Sequence, residues 1–421
     1  MIGPEAGGPV RYVAGVLLVL GGLFQAPTAV PTPTPTATPA PCPASLQGAI
    51  NATPTGGTLS LGACTFHEAV TVSRAMTILG NGTSTVIDGD GLRSSWMTVS
   101  ASNVTVDGLV MRNAAAGATQ SGSLNVDGVS GFTLRNSSLS GGGYADLRLW
   151  NGSGHTVTNS TFATGRDTGV VGWNFTDSLF SANRFTGNNT AGFDPGYEAG
   201  GIKLGQVARV RIVGNEADAN AGPGIWCDAY CSAITIGSNR VHDNTREGIL
   251  YEISSGGTIS GNAVWENGFG FTSWGWGGGI VVSSSGTTDV SANTVAWNAD
   301  GIIVISQSRA GSPAVTGIAV HDNTVAMAPQ ASDTSDKMAV AWLQDWSGVM
   351  YNAASANTGS GDDYWVSVAE PQWARFGWNG ALSTLASFNA TPGEEGGLYL
   401  TSSGLSSALA NAGVPAVAKT H

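Results

Sequence analysis

An asparagine recurs at one position of a repeating phrase, each time behind an apolar-x-apolar triplet such as Ile234-Thr235-Ile236. The phrase carries Asn81, Asn183, Asn215, Asn239, Asn262, Asn293 and Asn323, and Leu109, Ser137 and Ser160 occupy the same place in further copies. Successive copies lie 23 to 32 residues apart, so the unit has about 23 residues and the longer steps carry insertions. A repeat of this length is typical of a solenoid, in which each unit buries its apolar face by stacking on its neighbours.

Each unit consists of short apolar alternations separated by Gly, Ser, Asn and Asp, and no stretch between 60 and 330 sustains a helical apolar period. The sequence therefore predicts an all-β solenoid of about ten coils over residues 44–330, in which equivalent residues stack about 4.8 Å apart. An inward asparagine in such a stack passes amide hydrogen bonds between coils, which satisfies a buried polar group. A second line of asparagines follows five residues later, at Asn188, Asn220, Asn244, Asn267 and Asn298. We assign both lines to the architecture.

The two ends of the chain differ from the repeats. Arg11 and the apolar run 12–24 predict a signal peptide over residues 1–29, with an uncleaved anchor as the alternative. The Pro/Thr alternation of residues 30–43 predicts a stiff linker. A small amphipathic segment, 45–51, predicts an N-terminal cap. Residues 331–421 lose the asparagine phrase, which predicts final coils and a C-terminal cap with a helix within 398–412.

Cysteine content and charge restrict the compartment and the partner. Four cysteines in an exported chain predict the disulfides Cys42–Cys64 and Cys227–Cys231, although Cys227 also fits a buried core thiol. With 17 basic and 29 acidic residues, a net charge of -12 and no Lys/Arg-rich stretch, the chain is not expected to bind nucleic acid.

A second strand of each unit aligns when residues are counted back from the repeat asparagine or its equivalent. The outward side chains of this strand form two columns. The first contains Arg148, Lys203, Trp226 and Leu250, and the second contains Trp150, Trp173, Asp228, Glu252 and Ser283. Asp228 and Glu252 fall on adjacent coils, so we expect their carboxylates about 5 Å apart, with one protonated at neutral pH. They are the candidate catalytic pair, and Lys203 is an alternative base or charge neutraliser. The structural alternative is that both acids cap turns or pair with Arg209, Arg211 or Arg246.

Insertions beside this strand, 193–198 and 269–276, are rich in aromatic residues. Trp and Tyr combine a flat apolar face with a polar edge, which suits stacking on sugar rings. The candidate substrate-binding residues are Arg148, Trp150, Trp173, Trp226, Trp274, Trp276 and Tyr197. Aromatic packing against the solenoid flank is the alternative. Asp194 and Glu198 are too few ligands for a convincing Ca²⁺ site, so no metal or other cofactor is expected.

Several phrases resemble a known family. Residues 56–61, 70–72, 76–80, 86–89 and 102–109 resemble the opening of secreted right-handed parallel β-helix proteins of the pectin-lyase-like superfamily. Gly224-Ile225-Trp226-x-Asp228, Gly248-Ile249-x-Tyr251-Glu252 and Trp276-Gly277-x-Gly279-Ile280 are similar to phrases of a bacterial branch. The resemblance covers about residues 45 to 330 and implies a right-handed parallel β-helix that binds glycans on the exposed face of one long sheet.

The superfamily includes lyases, hydrolases, esterases, epimerases and adhesins or tailspikes, so the fold alone does not set the reaction. This chain lacks an intact polygalacturonase-like acid set and a lyase arginine motif, which leaves the reaction class open. We expect a secreted, extracellular or cell-surface monomer, without membrane contact in its mature form, that binds a polysaccharide and cleaves it as a glycoside hydrolase or polysaccharide lyase. The alternative is a non-catalytic glycan-binding or structural protein, which would not need the aligned acids.

Overall fold

A computed structural model describes residues 42–421 apart from Thr272, Ala369 and Pro371. The expected signal peptide, residues 1–29, and residues 30–41 of the expected linker lie outside the described residues. Within the described range, no helix is long and apolar enough to cross a membrane.

In this part of the chain, the strands form three sheets of 12, 13 and 13 strands, and the strands wind from one sheet to the next in turn. The first sheet contains Thr58–Ser60, Met76–Leu79, Val104–Asp107, Thr133–Arg135, Thr156–Thr158, Leu179–Ser181, Arg211–Val213, Ser232–Gly237, Ser255–Ser260, Gly286–Ser291, Ala319–His321 and Thr358–Ser360. The second contains Thr65–Phe66, Val86–Asp88, Val110–Arg112, Ser138–Ser140, Thr161–Ala163, Arg184–Thr186, Glu216–Asp218, Arg240–His242, Ala263–Trp265, Thr294–Asn298, Thr324–Met327, Asp363–Trp365 and Leu398–Tyr399. The third contains Val70–Val72, Met97–Val99, Gly122–Ser130, Ala145–Ser153, Thr168–Trp173, Gly200–Gly205, Ile225–Asp228, Ile249–Glu252, Gly278–Ser283, Asp300–Ile305, Val340–Leu343, Phe376–Trp378 and Ala381–Ser383.

The prediction of an all-β parallel solenoid is confirmed, and the winding continues beyond residue 330. The strand Val340–Leu343 pairs in parallel with Asp300–Ile305, and Phe376–Trp378 continues the same sheet. Only then does Ala381–Ser383 turn back antiparallel to its neighbour. The loss of the asparagine phrase after 330 therefore marks a change of corner residues and not the end of the coil.

Short helices occur mainly near the two ends. They are Leu46–Ala52, Pro329–Ser332, Leu385–Phe388 and Ser402–Ala412, with 3₁₀ turns at Gly82–Ser84 and Ala353–Ser355. In the first helix, Leu46 and Ile50 are buried in the core. The side-chain amide of Gln47 accepts from the N–H of Thr71 at 2.7 Å and donates to its carbonyl at 3.1 Å. This amide replaces a neighbouring strand and protects the exposed edge of the first coil.

The corner between the first and second sheets is built around the asparagines of the repeat. Asn239 is 1% exposed and directly follows Ser238, which has a left-handed φ of 53°. Its Nδ2 donates to Ile212 O at 2.9 Å and to Asn262 Oδ1 at 3.0 Å. Its Oδ1 accepts from the backbone N and the Nδ2 of Asn215 at 2.9 and 3.0 Å. Both hydrogens and the carbonyl oxygen of the buried amide are thus satisfied.

This asparagine ladder runs through Asn183, Asn215, Asn239, Asn262, Asn293 and Asn323, and the second line forms an equivalent ladder at the next corner. The sequence pattern predicts that Asn81 belongs to the first ladder, and this prediction is wrong. Val86 pairs with Val110, so the buried Thr85, and not the exposed Asn81, corresponds to Leu109. A 3₁₀ turn separates the phrase from the corner in this first copy.

Replacement of Asn239 by Ala removes four hydrogen bonds and leaves the buried partner groups unpaired. We expect the free energy of unfolding to fall by about 3 kcal/mol, measured by urea denaturation. Asn81→Ala is the matched control, because the same phrase there lies outside the ladder, and its effect should stay within about 0.5 kcal/mol. Equal effects at the two positions would contradict the role of the ladder.

Candidate functional site

The third sheet carries the candidate site on its outward face, where side chains of successive coils form two columns. The strand register orders the first as Arg148, Val171, Lys203, Trp226 and Leu250, and the second as Trp150, Trp173, Gly205, Asp228 and Glu252. Asp228 and Glu252 occupy adjacent rungs because the residues before them, Cys227 and Tyr251, are paired. The two candidate acids therefore belong to neighbouring coils on one face.

Gly205 interrupts the second column and makes room for an aromatic ring. A Cβ atom at this position would lie 2.0 Å from a ring carbon of Trp173, so the indole occupies the space of the missing side chain. Trp173 is stacked on Trp150, with ring centroids 5.9 Å apart and planes inclined by 18°. The indoles form an aromatic surface on the rungs next to Asp228, which suits contact with a sugar ring.

Lys203 is a buried cation in this cleft, with 7% of its surface exposed. Its Nζ lies 3.0 Å from the Asp228 carboxylate and 3.5 Å from the centroid of the Trp226 ring. It also donates a hydrogen bond to the carbonyl of Tyr197. A buried ammonium requires such partners because desolvation penalises an unpaired charge. These contacts fix Lys203 and hold the Asp228 carboxylate beside it.

Glu252 points outward as expected, but it is not exposed. Only 3% of its surface is accessible, and Arg309 lies over it with Nη2 2.7 Å from Oε1. Burial, and then the charge of Asp228, raises the pKa of Glu252 from 4.5 to about 7, while Arg309 and Lys203 oppose the rise. Glu252 is therefore an enclosed carboxyl group that keeps its proton below about pH 7.

The partners of the two acids differ from the arginines considered from the sequence. Asp228 forms its salt bridge with Lys203, and Glu252 forms one with Arg309. Arg309 lies between the strands Asp300–Ile305 and Ala319–His321, outside the repeat alignment. Its sequence position gave no signal of a role at this face.

A disulfide braces the turn that carries Asp228. Cys227 is bonded to Cys231, and the intervening Ala229 and Tyr230 have left-handed φ values of 48° and 72°. Such backbone is unfavourable for residues with side chains, so the crosslink restrains a strained turn. Both predicted disulfides, this one and Cys42–Cys64, are present.

Two further buried acids lie near Lys203 and were not assigned from the sequence. Glu198 is 5% exposed and accepts a hydrogen bond from the Tyr144 hydroxyl at 3.0 Å. Asp167 is fully buried, and burial together with the Glu198 charge raises its pKa to about 7. Burial also raises the pKa of Glu198, while Tyr144 and Lys203 lower it. The only sequence signal was the position of Glu198 at the end of an aromatic insertion.

Most of these groups line one cleft of about 240 Å³. The lining residues are Gln120, Trp150, Val171, Trp173, Gly196, Tyr197, Glu198, Lys203, Trp226, Asp228, Ala229, Glu252, Ile253 and Arg309. The structure thus brings together the three candidate catalytic residues and four of the candidate binding residues. Sequence reasoning missed Gln120, Glu198 and Arg309.

Three candidate binding residues lie outside this cleft, and their role in binding a glycan stays a prediction. Trp274 and Trp276 pack against an outward apolar cluster that includes Ile303. Arg148 pairs with Asp127 at 3.0 Å and lines a neighbouring cavity. The packing of Trp274 and Trp276 agrees with the alternative of aromatic packing on the solenoid flank.

A group of metal-ligand side chains lies on the second sheet, away from the cleft. Glu216, Asp218 and His242 place one ligand atom each within 4.8 Å of one another, among the residues that the structure describes. Arg184 already bonds both carboxylate oxygens of Asp218, at 2.8 and 2.9 Å. The guanidinium supplies the positive charge at this position.

Comparison with sequence families identifies the repeat. The family described as the right-handed β-helix region matches residues 93–197 and 122–295. No curated protein matches the chain.

Solved structures share the fold at low sequence identity. The A-module of the mannuronan C-5 epimerase AlgE4 from Azotobacter vinelandii is 16% identical, with a TM-score of 0.55 over 80% of this chain and 94% of that one. XylC in complex with xylose is 10% identical, with a TM-score of 0.59 over 84% and 82%. The periplasmic alginate epimerase AlgG is 13% identical, with a TM-score of 0.52 over 85% and 83%. With its three-sheet winding and the match to the right-handed β-helix region, the chain has the fold of a right-handed parallel β-helix protein.

Proposed function

We propose that the protein is an exported glycoside hydrolase that binds a neutral polysaccharide along the outward face of the third sheet. The observation that carries the proposal is the acid pair in the aromatic cleft. Glu252 is protonated below about pH 7, and Asp228, on the adjacent rung, faces the ammonium of Lys203 at 3.0 Å. Two carboxyl groups in different environments suit the acid and base roles of glycoside hydrolysis.

In this mechanism Glu252 donates its proton to the glycosidic oxygen as the bond to the anomeric carbon breaks. Asp228 stabilises the positive charge that develops on the sugar ring and assists the attack of water. Trp173 and Trp150 hold the ring by apolar contact, which positions the scissile bond beside the acids. Lys203 acts as a positioning residue, because it holds the Asp228 carboxylate through a direct ion pair.

The charges of the cleft favour a neutral sugar over a uronate. Proton abstraction beside a sugar carboxylate, as in lyase and epimerase reactions, requires positive charge to stabilise the developing anion. Lys203 pairs with the Asp228 carboxylate, so the buried cation of the cleft already serves a protein acid. Lys203 is also directed at the Tyr197 carbonyl and the Trp226 ring, which makes it a poorly placed base.

Two other observations support a glycan partner and export. Structures with the same fold are described as epimerases of mannuronan or alginate and as a complex with xylose. The two disulfides are typical of an oxidising compartment, and one of the similar proteins is described as periplasmic. These two points support a polysaccharide partner and export. The proposal of hydrolysis rests on the acid pair.

Glu252→Gln removes the proposed proton donor while nearly keeping its shape. We expect turnover to fall by at least about 100-fold, because the amide has no proton to give to the leaving oxygen. The melting temperature should change little, since the amide occupies the same space. The measurement is the release of reducing ends from xylan, β-glucan, mannan and galactan, with alginate and polygalacturonate as uronate comparisons.

Glu216→Gln, a similar change on the second sheet, is the matched control and should keep wild-type activity. Undiminished turnover in Glu252→Gln would remove this residue from the mechanism. Unsaturated products from a uronate polymer would support a lyase instead. A wild-type protein that binds a glycan and cleaves none would support the non-catalytic alternative.

The pH profile tests the protonation state directly. Since Glu252 must carry its proton and its pKa is about 7, kcat/KM should fall as pH rises through about 7. Arg309→Met removes a positive charge that lowers this pKa, so the alkaline limb should move to higher pH. The measurement is kcat/KM from about pH 5 to about pH 9 for both proteins. An alkaline limb that stays in place in the variant would contradict the assignment.

A further inference from the structure

The first outward column of the third sheet is of mixed character up to the rung of Asp228 and wholly aliphatic from the rung of Glu252 onward. Up to that point it contains Thr98, Asn125, Arg148, Val171, Lys203 and Trp226. It continues with Leu250, Val281 and Ile303, none more than 3% exposed. Aliphatic residues on the outside of a solenoid are buried only if something covers them.

A loop covers this aliphatic part of the column. Trp274 and Trp276 pack on the cluster that contains Leu250, Val281 and Ile303. A Cβ atom at Gly275 would lie 2.8 Å from Leu343 and 3.3 Å from Ile303, so the backbone of the loop lies against the column. A sugar ring cannot reach the buried side chains beneath it.

The second outward column is closed at the same level. Arg309 covers Glu252, and the next residues of the column, Ser283 and Ile305, are fully buried. A Cβ atom at Gly311 would lie 2.8 Å from the hydroxyl of Tyr230, so the segment with Arg309 also reaches the turn after Asp228. Both columns are therefore blocked beyond the acid pair.

On the opposite side of the acids the second column stays half-exposed at Trp150, Trp173 and Asp228, whereas Val171, Lys203 and Trp226 of the first column are buried. A cavity of about 390 Å³, lined by Thr98, Asn125 and Arg148 among others, shares Gln120 with the cleft. The half-exposed path from Thr98, Asn125 and Arg148 in the first column to Trp150, Trp173 and Asp228 in the second crosses five rung spacings, about 24 Å at 4.8 Å per rung. Its hydroxyl, amide and guanidinium groups suit the hydroxyls of a glycan chain.

The cleft and the adjoining cavity form one groove. We propose that this groove is blind, that is, closed at one end, and that the enzyme acts at the end of a glycan chain. The chain enters over Thr98 and Arg148, and its terminus stops at Arg309 and the loop of residues 273–276. Cleavage beside Glu252 then releases a short product of fixed size from that end. Water supplies the hydroxyl that binds the anomeric carbon, and its proton replaces the one that Glu252 gave to the departing oxygen. This inference rests on the proposed hydrolase function and adds its mode of action.

Product analysis is the first test. Wild-type protein is incubated with a long oligosaccharide of the polymer that it cleaves, and the products are separated at low conversion. One short product and a correspondingly shortened chain are expected. An early ladder of all intermediate lengths would overturn the blind groove while leaving hydrolysis intact.

Binding provides a test that does not require turnover. Glu252→Gln is titrated with xylo- and gluco-oligosaccharides that carry a bulky fluorescent tag at the reducing end, at the non-reducing end or at neither end. A blind groove tolerates a tag at one end and loses binding by at least about tenfold with a tag at the other. Equal binding of both tagged forms would show an open groove. Failure to bind even the untagged forms would argue against the proposed function itself.

A substitution on the open side tests the direction of entry. Thr98→Trp should lower kcat/KM for a long oligosaccharide about tenfold more than for the disaccharide, because only the long chain reaches this rung. Thr258→Trp is the matched control, on an exposed strand position of the first sheet, and should leave the ratio unchanged. An unchanged ratio in Thr98→Trp would overturn entry from this side.

Discussion

Hydrogen bonds between stacked asparagine side chains fix the register of the solenoid. Asn239 uses both amide hydrogens and its carbonyl oxygen inside the core, and its neighbours in the ladder do the same. A coil shifted by one residue would leave these buried groups unpaired and would turn its apolar side chains outward. The ladder therefore determines which residues of successive coils stand side by side on every face. Asp228 and Glu252 meet in this way although 24 residues separate them.

The reactivity of the site comes from the irregular segments that cover the regular sheet. Burial, and then the charge of Asp228, raises the pKa of Glu252 to about 7 against the opposing charge of Arg309, whereas the same carboxyl group on an open sheet face would be ionised at neutral pH. The missing side chain at Gly205 allows the Trp173 indole to lie over the sheet next to Asp228. The bond between Cys227 and Cys231 restrains the turn that follows the acid. Each feature modifies a rung whose position the repeat has already set.

The sequence predicted what depends on periodicity. The asparagine spacing gave the solenoid and the two ladders, and the aligned strands placed Lys203, Asp228 and Glu252 on one face. The prediction failed in the first repeat because a 3₁₀ turn follows Asn81, so that Thr85 takes the corner position. Periodicity carries no information about such an interruption.

The path of the insertions could not be predicted from the repeat. Arg309 reaches Glu252 from a loop more than two coils later in the register, and Tyr144 meets Glu198 across 54 residues of sequence. Trp274 and Trp276 have the composition of a sugar platform, yet they cover Leu250, Val281 and Ile303. The contacts of an insertion depend on the packing of its own side chains, and the sequence pattern of the coil does not encode them.

The most direct test of the proposed site is a crystal structure of the Glu252→Gln protein with a bound oligosaccharide that the wild type cleaves. We expect a sugar ring against Trp173, a glycosidic oxygen within hydrogen-bond distance of the residue 252 amide, and a chain that runs toward Thr98. A glycan bound on the first or second sheet, or one that passes over the loop of residues 273–276, would contradict it.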